Sequence, residues 1–135
     1  MAADIFVAES WKAPHANPDE RAIAFEDDGY YWHLYRYFEG ANLDRRHELI
    51  DLYGGGPIDG YQLDRLEDEL RATLEDASHR PQTWRVLTGW NEHPARENEI
   101  WKEVDKHTLI DLIHRMLWLT NFAKERNLKL ICYGD

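Results

Sequence analysis

His107, Asp111 and His114 stand at i, i+4 and i+7, with Trp118 four residues further on. On a helix they fall within about 40 degrees of one direction. An imidazole beside a carboxylate can hold a metal ion, or act as a base whose orientation the carboxylate fixes. A metal site there needs a further ligand from elsewhere in the chain, with His33, His47 and His93 the candidates, and it would make the protein a small metal-assisted hydrolase. The spacing matches no established metal motif, so the plainer reading is a polar helix face with Trp118 and Phe122 partly covered. No metal and no cofactor is assigned.

Other routes to catalysis find less support. Gly54, Gly55 and Gly56 precede a helix as a phosphate-cradling loop would, but no Gly-Lys-Ser or Gly-Lys-Thr follows, and Asp59 places a negative charge where the phosphate would sit. A flexible turn is expected there. Neither Gly-x-Ser-x-Gly nor His-Glu-x-x-His occurs. The single thiol, Cys132, lies in an apolar run where burial should raise its pKa and leave it inert, and one cysteine can form no intrachain disulfide. The reading therefore leans to a binding protein, with the metal-assisted hydrolase of His107, Asp111 and His114 kept as the alternative.

Charge gives the binding reading its direction. The 135 residues carry a formal charge of -10, and residues 1–77 hold 18 acids against 7 bases while residues 78–135 hold 8 against 9. A field of that sign repels nucleic-acid phosphates and speeds encounter with a cationic partner. Direct nucleic-acid binding is thus not expected. Asp64, Asp68 and Glu75 share one edge of a helix, Glu26, Asp27 and Asp28 cluster at the start of another, and Tyr30 and Tyr37 are aromatic beyond what one core face needs. These eight residues are the candidate partner-binding set. The expectation is a small acidic inhibitor or immunity-type protein that occludes a basic bacterial toxin or nuclease, as a monomer or homodimer. An acidic nucleic-acid mimic uses the same surface, and acidity that serves solubility alone remains open. Trp11 and Trp90, near His15 and His93, are a further possible aromatic surface.

The elements that must position these residues are legible in part. With 43% hydrophobic residues and 17 aromatics, the chain is expected to fold as one domain over residues 1–135. It holds no apolar run near the roughly 18 residues that span a bilayer, and no signal-peptide pattern opens it, so a soluble cytoplasmic protein is expected. Residues 4–9 read as a strand, followed by a proline-broken loop, and 21–26 as its return. Residues 28–39 read as a helix with Tyr31, Leu34, Tyr35 and Phe38 on one stripe and Tyr30, His33 and Tyr37 on another. The second stripe must be either covered or used for contact. Residues 49–53 are left without a state.

Leu63, Leu66, Leu70, Leu74 and Ala77 define a helix over 61–77, with Asp59 and Gln62 placed like a capping box. Residues 84–90 and 99–104 read as antiparallel strands joined by a polar loop at 91–98. Asp105 is placed to cap a helix over 106–126, Asn127 to end it, and 128–133 to form a buried terminal strand. That ending, Leu128 to Asp135 after an amphipathic helix and the Trp84–Gly89 strand, resembles the close of some small bacterial proteins of unassigned function. The likeness covers the last third and transfers no site residues. The whole predicts an α+β domain with a mainly antiparallel sheet covered by about three helices, the terminal strand lying centrally.

Overall fold

A computed structural model describes residues 2–93 and 96–134. Strand β1 (Ala2–Ala8) is followed by β2 (Ile23–Glu26), helix α1 (Gly29–Gly40), the two-residue strand β3 (Pro57–Ile58) and helix α2 (Tyr61–Ser78). Strands β4 (Thr83–His93) and β5 (Arg96–Asp105), helix α3 (Lys106–Arg126) and strand β6 (Lys129–Gly134) complete the chain. Four strands form one sheet in the order β2-β1-β6-β3, and β4 and β5 form a separate ribbon. All these pairings are antiparallel. The α+β expectation holds, and the terminal strand lies inside the sheet because Leu130, Ile131 and Cys132 are apolar on both faces.

Alternation assigns the two faces. Ile5, Val7, Ile23, Phe25, Ile58, Leu130 and Cys132 join the main core with the helices, while Phe6, Ala8 and Ile131 point the other way, against Trp11, Ala13 and Ala22. The proline-containing segment after β1 makes this second cover by folding back along the strand. Ala16 N–H donates to Val7 O at 2.7 Å and Val7 N–H donates to the buried Asn17 Oδ1 at 2.6 Å.

Helix α1 buries Tyr31, Leu34 and Phe38 against the sheet and leaves Tyr35 half-buried. Its second stripe is covered in part: His33 is buried and Tyr30 half-buried against the β4–β5 ribbon, through Trp84 and Asp105 respectively, and Tyr37 is half-buried. Gly29 permits the approach, since a Cβ there would stand 2.7 Å from Val104 Cγ2. The ribbon is longer than periodicity suggests. Its ladder runs from Thr83↔Asp105 to His93↔Arg96 through residues expected as loop. Residues 91–98 hold no alternation of apolar and polar positions, the pattern by which a strand is recognised in sequence.

The triple glycine is not a free turn. Gly54 O accepts from Gly134 N–H at 2.5 Å and Gly56 O accepts from Cys132 N–H at 3.2 Å, so the segment runs against β6 ahead of β3. Gly55 has φ +124°, and a Cβ there would strike the Cys132 carbonyl. Residues 49–53 are irregular, yet Ile50 and Leu52 are buried and Tyr31 Oη–H donates to Ile50 O at 3.2 Å.

The helix ends follow the sequence with one exception. Asp28 caps α1, Asp105 caps α3 by accepting from Thr108 N–H at 2.9 Å, and Asn127 ends α3 at φ 54°. At α2 the N-cap is Gly60 at φ 56°, so only half of the expected box forms: Asp59 N–H donates to Gln62 Oε1 at 3.3 Å, and Asp59 turns toward Lys129 instead.

Candidate functional site

The outer edge of α2 is the most exposed part of the expected partner-binding set. Leu63, Leu66, Leu70 and Ala77 are buried, and the helix packs on α3. That packing fixes the opposite side, where Tyr61, Asp64, Asp68 and Glu75 follow one another at spacings of three, four and seven, all exposed. Tyr61 is 72% exposed, the most of any large hydrophobic residue described. No periodicity argument singled it out, because it opens the helix beyond the apolar stripe.

The charges on this edge are only partly compensated. Asp64 pairs with Lys124 at 2.7 Å, and that hydrogen bond raises the lysine's pKa. Glu75 pairs with His79 at 3.0 Å with both partners well exposed. Asp68 has no ion pair among the described residues. Over its length α2 has six acids and two bases.

The second acidic group has work inside the fold. Asp28 Oδ1 accepts from Tyr30 N–H at 3.0 Å and from Tyr31 N–H at 3.1 Å. Asp27 accepts from Trp32 Nε1 at 2.6 Å, and its backbone oxygen accepts from Lys102 Nζ at 2.9 Å. Glu26 is exposed at the end of the edge strand β2. Their contacts run to α1 and the ribbon, not to α2. Tyr30 is half-buried, its hydroxyl accepting from Asp105 N–H at 3.1 Å. Tyr37 is half-buried beneath the Arg36 guanidinium, and burial raises its phenol pKa.

His107, Asp111 and His114 are exposed on α3. Trp118 stacks on Phe122 and is capped by the Arg21 guanidinium 4.5 Å from its ring. The further ligands proposed for a metal are engaged elsewhere: His33 stands against Trp84, and His47 Nδ1 lies 2.5 Å from Asp44. Among the described residues no group of three or more His, Cys, Asp and Glu is arranged to hold a metal ion. The His93 side chain lies outside the described residues, as does that of Trp90. Trp11 stacks on Tyr133 and His15 on Phe6, so both belong to the outer cover of the sheet.

Burial sets the chemistry of two further groups. The Cys132 thiol is pushed up to about 12 by burial, leaving almost no thiolate at neutral pH. Asp44 has a fully buried side chain, yet hydrogen bonds from His47 and Arg46 outweigh the effect of burial and hold it below the usual carboxylate range.

A cleft of about 550 Å³ lies between the start of α2 and the end of α3. Its cations are neutralised locally, Lys124 by Asp64 and Lys129 by Asp59 at 3.9 Å. A smaller groove of about 210 Å³ differs in character, with Trp32, His33 and Arg36 from α1 meeting Arg80, Trp84 and Arg85. Sequence reasoning missed it because its residues come from α1, the segment after α2 and the ribbon, and only the ribbon's docking brings them together. No family model, no curated protein and no solved structure matches this chain.

Proposed function

We propose that the chain is a small acidic interaction protein, an inhibitor or immunity-type protein that binds a basic toxin or nuclease and occludes its cationic cleft. The observation that supports this reading is the outer edge of α2, where an exposed aromatic and three exposed carboxylates stand on a helix held rigid by its buried face. A rigid edge loses little conformational freedom on binding. Its carboxylates steer a cationic partner, and Tyr61 supplies apolar area with a polar tip at the contact. Tyr61 replaces Tyr30 and Tyr37 in this role, since both of those are half-buried within the fold. Asp27 and Asp28 serve it through the shape and charge of the α1 start rather than as free ligands.

The test is differential capture from bacterial lysate on immobilised wild-type chain and on a Tyr61→Ala, Asp68→Asn, Glu75→Gln variant. A basic protein retained by the wild type at low salt, released by a salt step, lost on the variant and inhibited by the soluble chain supports the reading. Identical retention by both columns removes the α2 edge from it.

A further inference from the structure

A chain with a net charge of -10 gathers three guanidiniums around one groove. Arg36, Arg80 and Arg85 lie over the rings of Tyr37, Trp84 and Trp101 at 5.0, 5.2 and 5.5 Å respectively. Stacking of this kind orients the planar fork while leaving its N–H edges for an acceptor. The carboxylates nearby are mostly committed: Asp27 accepts from Trp32 Nε1 at 2.6 Å and Glu99 from Trp101 Nε1 at 2.9 Å, and Arg85 has no ion pair among the described residues. Asp76 serves both Arg36, at 3.5 Å, and Arg80, at 3.1 Å, and Glu103 stands across the ladder from Arg85 without an ion pair among the described residues.

The buried wall carries a second, independent sign. The His33 side chain is 3% exposed, and its Nδ1 receives the Trp84 Nε1–H at 3.4 Å. An indole nitrogen only donates, so Nδ1 is the acceptor and the proton of the neutral ring resides on Nε2. That N–H has no hydrogen-bond partner, the nearest carboxylate oxygen being Asp76 Oδ2 at 3.9 Å, beyond hydrogen-bonding reach. A buried donor left unpaired in a groove lined by cations calls for an acceptor. Burial, with Arg36 and Arg80 alongside, pushes the ring down to about 4, so it stays neutral and keeps this donor at physiological pH.

We propose that this groove binds a small aromatic carboxylate, its ring against the indoles and its carboxylate received by Arg36 and Arg85, with the His33 Nε2–H buried in the wall behind them. The volume, about 210 Å³, suits one ring with a carboxylate, given that a cavity of roughly 150 Å³ accommodates benzene. A phosphate would satisfy the arginines but offer no apolar surface to the indoles, and as a dianion it is repelled more strongly by the chain's field. The ligand is either a free aromatic acid or the C-terminal aromatic residue of a polypeptide, which present the same chemistry. This site is independent of the acidic edge of α2.

Titration of the full chain by tryptophan fluorescence and calorimetry tests it, using benzoate, N-acetylphenylalanine, the peptide Gly-Gly-Phe, the amides of the last two, and inorganic phosphate. The expected result is saturable one-to-one binding of the acids, with the amides weaker by about tenfold or more. An Arg36→Gln, Arg85→Gln variant should lose a similar factor with an unchanged circular dichroism spectrum. Gly-Gly-Phe bound about tenfold more tightly than benzoate assigns the site to a polypeptide terminus, and the reverse order assigns it to a free acid. No saturation by any acid, amides bound as well as acids, or phosphate bound in preference to benzoate overturns the proposal. Should the variant fail to fold, the acid-against-amide comparison decides alone.

Discussion

Replacing His33 with Gln should change how stability depends on pH, and the size of the change follows from the groups around it. The ring is enclosed by Trp84, with Arg36, Arg80 and Asp76 facing it. Burial is the largest influence and disfavours the imidazolium. The two arginines act in the same direction, and Asp76 opposes them without prevailing. The pKa falls from 6.5 to about 4. The native chain therefore keeps His33 neutral down to about pH 4, whereas the unfolded chain takes up that proton near pH 6.5. Between these values the unfolded state holds more protons, so this residue's contribution is complete above about pH 6.5, falls as the pH drops, and is lost below about pH 4. At about 1.4 kcal/mol per pH unit the ceiling is roughly 3 kcal/mol, and screening at the open groove reduces it to about 2. Gln keeps an acceptor for the Trp84 indole but does not titrate. Urea unfolding followed by tryptophan fluorescence at pH 7, 5.5 and 4 should show the variant less stable at pH 7 and the gap closing by about 2 kcal/mol at pH 4. Titrations of the other acidic groups cancel in that difference. A gap constant to within about 0.5 kcal/mol over the range would refute the buried, neutral assignment.

Four other perturbations have directions set by the fold. Gly55→Ala puts a methyl against the Cys132 carbonyl at a φ of +124°, and should cost about 2 kcal/mol or more in urea unfolding. Asp28→Ala removes the acceptor for two N–H groups of α1 and should cost about 0.5 to 2 kcal/mol, measured the same way. Cys132, pushed up to about 12, should react with a thiol reagent in the native chain no faster than the protein opens, and become fully reactive in urea. Asp68→Asn with Glu75→Gln should leave the melting temperature nearly unchanged, since one residue has no ion pair among the described residues and the other has only the exposed His79.

Much of the fold could be read where one period ran long enough. The leucines of α2 and the broad apolar face of α3 repeat over several turns, and Asp28, Asp105 and Asn127 mark helix ends through local chemistry that needs no tertiary contact. The terminal strand declared its central place by being apolar on both faces. What the sequence concealed depends on long-range docking. The full reach of the ribbon has no hydrophobic alternation to report it, and Gly54 to Gly56 read as a turn because their use lies in a distant strand's approach.

The candidate site divides in the same way. Asp64, Asp68 and Glu75 could be placed on one exposed edge from helical geometry alone. Tyr61, outside the apolar repeat, could not be distinguished from any other helix-start residue. Asp27 and Asp28 looked like surface charge because nothing in their spacing reveals that Trp32 and the first N–H groups of α1 engage them. The groove of arginines and tryptophans joins Arg36 to Arg85 across 49 positions, a separation that no local pattern spans.

The most direct test of the inhibitor reading is the association rate of the chain with the basic protein it captures, measured against salt for the wild type and for Tyr61→Ala, Asp68→Asn, Glu75→Gln. The account predicts a wild-type rate that falls steeply with ionic strength, and a variant rate about tenfold lower at low salt with a flatter dependence. Equal rates and equal salt slopes for the two proteins would contradict it.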